Sequence, residues 1–295
     1  MKIVIAPDKF KGSLTAQQAA EAIARGVRQF DPQAQIDLCP MADGGEGTVR
    51  ALVAATGGTL RHTSVCGPLP QMRVDAEWGI MGDGQSAVIE MAAASGLALL
   101  EQSQRNPMRT TTFGTGELIN AARQAGCRRI IVGIGGSATT DGGVGCAQAA
   151  GAVFQMEDGS KRGPNDPPLV GAEVQRISGI DSLAQYASSS LPQYAGGGLG
   201  RGLREQRPSQ PEVPPPQPSP GVPGEGVNAI IVACDVDNPL YGERGAAAVF
   251  GPQKGASPQD VAQLDAALQR LAHLLDATDL AQTPGAGRPV VWASA

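Results

Sequence analysis

Residues 1–30, MKIVIAPDKFKGSLTAQQAAEAIARGVRQF, decide the fold class. Lys2 to Ala6 is a β-rich run, Pro7 to Ser13 is a Lys- and Gly-containing turn, and Leu14 to Phe30 carries apolar residues at helical spacing. A second short strand, Ile36 to Pro40, leads through a glycine-rich loop into another helical pattern. This alternation of strand and helix predicts an α/β fold with a largely parallel sheet.

The pattern changes from Thr63 to Glu90, where short strands alternate with turns. Gly82-Asp83-Gly84 lies between two apolar runs and predicts an antiparallel hairpin, and hence a second domain of mixed α/β character. Further along the chain, the expected elements are helices at Thr115–Gln124, Cys146–Ala150 and Pro258–Ala277, and strands at Arg129–Gly133 and Asn228–Cys234.

Composition excludes several classes of function. The 23 Lys and Arg residues against 28 Asp and Glu give a net charge of −5, and no basic block stands out, which argues against nucleic-acid binding. No apolar run reaches the roughly 18 residues of a membrane helix. The five scattered cysteines and two histidines argue against a zinc site and favour a cytoplasmic location.

Leu183 to Gly226 differs from the rest of the chain. Eight prolines stand between Arg207 and Glu225, and the stretch before them is rich in Ser, Gln and Gly with no apolar period. This composition predicts a low-complexity segment that is disordered or adopts polyproline conformation.

Two loops near the N-terminus follow apolar strands, and strand ends are where α/β sheets bind ligands. The lysine loop, residues 6–13, places Asp8, Lys9 and Lys11 before a helix, a setting that favours phosphate. The acidic loop, residues 40–47, holds Asp43 and Glu46 around a glycine pair and suits Mg²⁺ or a substrate hydroxyl. Ordinary turns with solvated charges fit both loops equally well.

The glycine loop, residues 133–143, combines five glycines with three hydroxyl residues and Asp141. Successive N–H groups in such a loop predict a cradle for phosphate or carboxylate. The dinucleotide-binding pattern G-x-G-x-x-G is only partial, because Ala138 stands where the third glycine belongs, and this argues against a dehydrogenase.

The aspartate loop, residues 233–239, contains Asp235 and Asp237 after a buried strand, and Lys254 farther on is another phosphate candidate. Glu90, at the end of an apolar strand, is a further acid of the same kind. The inventory of Lys, Asp and Gly without an activated nucleophile suits phosphoryl transfer, in which positioning and charge neutralisation do most of the catalysis.

Together these loops resemble the class I glycerate kinases. The matching motifs are APDKFKGSLTA (6–16), PMADGGEGT (40–48), IEMAAASGL (89–97), TTFGTGELI (111–119), GIGGSATTDGG (133–143) and ACDVDNPLYGERGAAAVFGPQKGA (233–256). The resemblance implies ATP-dependent phosphorylation of D-glycerate to 2-phosphoglycerate in glyoxylate, glucarate or galactarate utilisation. It also implies a cleft between a flavodoxin-like parallel-sheet domain and a second mixed α/β domain.

The site residues follow from this chemistry applied to the loops. The predicted catalytic residues are Asp8, Lys11, Asp43, Glu46 and Asp235. The predicted cofactor-binding residues are Gly135, Gly136, Ser137, Thr139, Asp141 and Lys254. Asp43 and Asp235 are also the candidate Mg²⁺ ligands, with ATP as the phosphoryl donor and D-glycerate as the small-molecule partner; the motif match by itself assigns neither a metal ligand nor a base.

The resemblance also predicts the domain division. Residues 1–64 are the N-terminal part of the flavodoxin-like domain, and residues 65–287 are the second domain, interrupted by the insert at 183–226. Residues 288–295, RPVVWASA, depart from the family pattern, which predicts a C-terminal truncation through a reading-frame shift near Gly287 and an incomplete flavodoxin-like domain. The alternative function is therefore a catalytically inactive fragment of that family.

We expect proteases to cut first within residues 183–226, because this stretch lacks an apolar period and is dense in proline. Limited proteolysis followed by mass spectrometry of the early fragments checks this. Early cleavage elsewhere, with residues 183–226 intact, contradicts the prediction.

Overall fold

The computed structural model describes residues 1–10, 13–42, 44–182, 229–233, 236–283 and 286–287. The predicted low-complexity segment 183–226 and the tail 288–295 lie outside these ranges. Lys11, Asp43 and Asp235 lie outside them as well.

The elements alternate between strands and helices. Within the described residues the strands are β1 (Lys2–Ile5), β2 (Gln35–Leu38), β3 (Thr59–Cys66), β4 (Arg73–Ile80), β5 (Ser86–Glu90), β6 (Arg129–Gly133), β7 (Val153–Met156), β8 (Lys161–Arg162), β9 (Ile177–Ser182) and β10 (Ala229–Ala233). The α-helices are α1 (Ala16–Phe30), α2 (Thr48–Thr56), α3 (Met91–Ser95), α4 (Phe113–Gln124), α5 (Val144–Ala149), α6 (Ala246–Phe250), α7 (Pro258–Leu274) and α8 (Thr278–Ala281).

The N-terminal segment is a small β-α-β unit in which β1 and β2 pair in parallel. Its helix begins at Thr15, whose hydroxyl accepts the Gln18 N–H while the Gln18 side chain accepts the Thr15 N–H. Ala20 and Ala24 pack against Ile5 of β1, and these small side chains let α1 lie close to the strands. The strand–helix alternation predicted for this segment is confirmed.

Apolar side chains of this unit face solvent in the described structure. Within the described ranges β1 and β2 pair only with each other, so each strand has an open edge. Val4 on β1 is 62% exposed, and Phe30 at the end of α1 is 90% exposed.

A mixed sheet with the strand order β10-β6-β5-β4-β3 forms the main body of the described structure. Strands β10, β6 and β5 run parallel to one another, whereas β4 is antiparallel to both of its neighbours, β5 and β3. The predicted hairpin is confirmed, because the Asp83 carboxylate accepts the N–H groups of Gln85 and Ser86 and closes the turn between β4 and β5.

The predicted division at residue 64 stays a prediction. Residue 64 falls inside β3, which belongs to the five-stranded sheet through its pairing with β4. The preceding helix, α2, also packs on this sheet, since Val49 and Val53 contact Val88 of β5.

The core is aliphatic, as expected for a chain with 3% aromatic residues. On α7, the predicted apolar stripe buries Leu264, Leu268 and Leu271 against the rest of the core. A three-stranded antiparallel sheet with the order β8-β7-β9 was not predicted. No helix in the described ranges is long and apolar enough to cross a membrane.

We expect Leu268→Ala to lower the free energy of unfolding by about 2–5 kcal/mol, because it leaves a cavity at a side chain that is 1% exposed. Urea titration measures this. Gln269→Ala, on the solvent face of the same helix, is the control and should change it by less than about 0.5 kcal/mol. Equal effects of the two substitutions would contradict the core placement of Leu268.

Candidate functional site

The carboxyl ends of β1 and β2 bring the lysine loop and the acidic loop together. The N–H of Cys39 donates to the carbonyl of Ile5 at 2.8 Å, and the N–H of Met41 donates to the carbonyl of Pro7 at 2.9 Å. The parallel ladder thus continues past the ends of the strands, and the two loops leave the sheet side by side.

Glycines bring the acidic loop into contact with the glycine loop. The Gly135 N–H donates to the carbonyl of Gly44 at 3.2 Å. A Cβ atom on Gly133 would lie 2.4 Å from the same carbonyl oxygen, so only glycine allows this approach. Gly44 also lies against Ala233, the first residue of the aspartate loop. A Cβ atom added to Gly44 would lie 3.3 Å from the Ala233 carbonyl oxygen. The lysine, acidic, glycine and aspartate loops therefore lie next to one another at the edge formed by the carboxyl ends of the parallel strands.

The glycine loop is held by its own backbone groups. The Ala138 N–H donates to the carbonyl of Ser95, and the Leu97 N–H donates to the carbonyl of Gly136, each at 2.9 Å. Because the Gly135 N–H already donates to the carbonyl of Gly44, the N–H groups that remain for the predicted anion cradle are those of Gly136 and Ser137. Gly136 is exposed at the loop, with a φ of +73°.

Asp141, a predicted cofactor-binding residue, lies beneath the surface at the base of the glycine loop. Its carboxylate is fully buried and accepts the Thr112 N–H at 2.9 Å and the Thr112 hydroxyl at 2.7 Å. It also accepts the N–H groups of Gly143 and Gly145 at 3.2 and 3.4 Å. Burial raises the pKa of the Asp141 carboxyl, and the hydrogen bonds it accepts oppose that rise. Its oxygens are thus engaged at the N-termini of α4 and α5.

Lys254 and Thr139, two further predicted cofactor-binding residues, both lie inside the protein. The Lys254 side chain is buried, and its Nζ donates to the carbonyl of Thr139 at 2.5 Å. The hydroxyls of Thr139 and Thr140 have no hydrogen-bond partner among the described residues and line a small cavity beside Lys254. Lys254 therefore supports the glycine loop from within.

Two predicted catalytic acids are exposed at this edge. Asp8 accepts the Lys9 N–H at 2.6 Å through Oδ1, which shapes the start of the lysine loop. Glu46 is exposed on the acidic loop. Asp43, Asp235 and Lys11 complete the predicted catalytic set and stand outside the described ranges.

Glu90 is a site residue whose role the sequence did not reveal. It ends β5, and its Oε1 accepts the N–H groups of Gly47 and Val49 at 2.9 and 2.8 Å. Burial raises the pKa of the Glu90 carboxyl, with smaller contributions from the charges of Glu46 and Glu77. An acid at the end of an apolar strand was the only sequence signal, and it does not identify the partners.

The fold is that of an α/β protein in which four loops follow the carboxyl ends of parallel strands. The family model described as "Glycerate kinase family" matches residues 3–191 and 225–288. The chain belongs to the glycerate kinase family.

Individual relatives agree with this assignment. The chain is 43% identical to "Glycerate 2-kinase" of Escherichia coli K12 and 46% identical to "Glycerate kinase" of Bacillus subtilis 168. Each alignment covers 97% of this chain and 65% of the relative, so the chain spans about 65% of the length of these curated relatives. The crystal structure of a Salmonella typhimurium LT2 protein is 42% identical, with a TM-score of 0.75, over 100% of this chain and 68% of that one.

We expect Asp141→Ala to lower the free energy of unfolding by at least about 3 kcal/mol, because each buried donor left unsatisfied costs about 1–3 kcal/mol. Urea titration provides the measurement. Asp75→Ala removes an exposed acid whose partner is His62 and should leave the urea midpoint unchanged. A wild-type midpoint for Asp141→Ala would show that the buried carboxylate is dispensable.

Proposed function

We propose that this protein is a glycerate kinase, which transfers the γ-phosphoryl group of ATP to D-glycerate and releases 2-phosphoglycerate. The observation that supports this most strongly is the meeting of the four loops at one edge. Positive residues of the lysine loop, acids of the acidic and aspartate loops, and backbone of the glycine loop are the groups that phosphoryl transfer requires. The names of the relatives point to the same substrate.

We assign the phosphate contacts to Lys11 and to the backbone of Gly136 and Ser137. Cations and backbone N–H groups both favour phosphate oxygens. Gly135, Thr139, Asp141 and Lys254 serve this part of the site indirectly, by fixing the shape of the glycine loop. Gly136 is exposed, so a nucleotide could bind at the loop and dissociate from it, while the buried Asp141 and Lys254 keep the loop in place.

We assign Mg²⁺ to Asp43 and Asp235, whose carboxylates are the oxygen ligands that this ion prefers. The supporting observation is the contact of Gly44 with Ala233, since Gly44 directly follows Asp43 and Ala233 precedes Asp235 by two residues. Among the described residues, no group of three or more His, Cys, Asp or Glu side chains could hold a metal ion. Bound Mg²⁺ would neutralise charge on the phosphate oxygens.

Asp8 and Glu46 are the exposed acids at the same edge, and we propose that one of them accepts the proton of the attacking glycerate hydroxyl. A carboxylate within hydrogen-bond reach of the hydroxyl can remove this proton as the new O–P bond forms. The free cysteines Cys39, Cys66, Cys127 and Cys146 fit a reducing compartment, and we place the enzyme in the cytoplasm, in organic acid utilisation.

The kinase assay tests this function directly. Purified chain with ATP, Mg²⁺ and D-glycerate should form ADP only when glycerate is present, and ³¹P NMR should identify the product as 2-phosphoglycerate. A folded chain without glycerate-dependent ADP formation would favour the alternative, an inactive member of the family.

We expect Asp43→Ala and Asp235→Ala each to lower turnover by about a hundredfold or more, the scale on which a positioned catalytic group acts. Steady-state ADP formation is the measurement. Asp237→Ala is the matched control, because Asp237 lies in the same loop but its side chain is exposed and forms an ion pair with Arg244. Near-normal turnover of both test variants would remove these acids from the site.

A further inference from the structure

Glu90 is a buried acid that the proposed chemistry does not use. It is 9% exposed and stands opposite Gly133 in the register of β5 and β6. Its Oε1 accepts the N–H groups of Gly47 and Val49. These N–H groups belong to the first turn of α2, where a helix offers no acceptor of its own.

The cap of α2 therefore comes from a distant strand. Gly47 is the N-cap residue, with a φ of +98°, and has no side chain that could accept a hydrogen bond. Glu90 caps the helix, as a Ser or Asp side chain at the N-cap position does in other helices. A carboxylate here also complements the positive end of the helix dipole. The N-terminus of α2 is thereby committed to a protein carboxylate.

The acidic loop is thus held at two points. Gly44 is fixed by the hydrogen bond from Gly135 at 3.2 Å, and Gly47 is fixed by Glu90 at 2.9 Å. Glu46 stands between these points, and Asp43 directly precedes the first. Movement of either anchor would displace Glu46 relative to the glycine loop.

We propose that Glu90 is a positioning residue that fixes the acidic loop of the kinase site by capping α2 from strand β5. This rests on the proposed function, because the position of the loop affects turnover only if its acids take part in the reaction. Glu90 acts through Gly47 and Val49 and is distinct from the groups assigned to substrate, ATP or Mg²⁺.

The test compares Glu90→Ala and Glu90→Gln with Glu77→Ala. Glu77 on β4 also joins the sheet to the first turn of α2, but its hydrogen bonds, at 2.7 and 2.9 Å, come from the Arg50 side chain rather than from backbone N–H groups of the helix start. We expect Glu90→Ala to lower kcat at least tenfold with a less than twofold change in the KM for ATP. Glu90→Gln keeps an acceptor oxygen and should stay within threefold of wild type, and Glu77→Ala within twofold.

Hydrogen exchange supplies a readout that does not depend on catalysis. Amides of residues 44–50 should exchange at least tenfold faster in Glu90→Ala than in wild type, and at the wild-type rate in Glu77→Ala. If wild type lacks kinase activity, the proposed function fails, and this exchange comparison alone decides whether Glu90 fixes the loop.

Several results would overturn the proposal. These are a wild-type kcat or unchanged exchange in Glu90→Ala, or an equal loss of kcat in Glu77→Ala. If Glu90→Ala does not fold, Glu90→Asp replaces it, since it keeps the charge but is one carbon too short to reach both N–H groups. A kcat of Glu90→Asp at or above that of Glu90→Gln would then contradict positioning through these hydrogen bonds.

Discussion

The buried carboxylate of Asp141 accepts N–H groups from the beginnings of two helices, α4 and α5, and the base of the glycine loop is built around it. A carboxylate removed from water requires partners for its oxygens, and the first turns of helices offer N–H groups that lack partners of their own. The carboxylate oxygens and the helix N–H groups therefore become each other's hydrogen-bond partners. The arrangement fixes the end of the glycine loop at the point where the chain enters α5.

Glu90, at the end of the neighbouring strand β5, is a second buried carboxylate that binds the N–H groups of a helix start. It takes two N–H groups of α2, so the helix start and the end of β5 are joined in the way that Asp141 joins the glycine loop to α4 and α5. The acids near this edge thus fall into two groups. Among the described acids, Asp141 and Glu90 are buried and hold helices, whereas Asp8 and Glu46 are exposed to solvent.

Glycine has two different uses in the same loops. Gly133 and Gly135 lack a side chain because the backbone of the acidic loop passes directly against them, at distances that a Cβ atom would occupy. Gly136 has a positive φ at an exposed position. A sequence rich in glycine indicates close approach of some group to the backbone, but it does not tell whether that group is a ligand or another stretch of chain.

Local patterns in the sequence determined the β-α-β unit, the hairpin at Gly82–Gly84 and the apolar stripe of α7, because each depends on periodicity or turn chemistry within a few residues. The motifs also determined the family. Only the tertiary structure decided the roles of the polar residues, since their partners are distant: Thr112 and Asp141 are 29 residues apart, Gly47 and Glu90 are 43 apart, and Thr139 and Lys254 are 115 apart. The sheet of β7, β8 and β9 was missed for a similar reason, because short strands gain their stability from pairing with segments that local sequence does not specify.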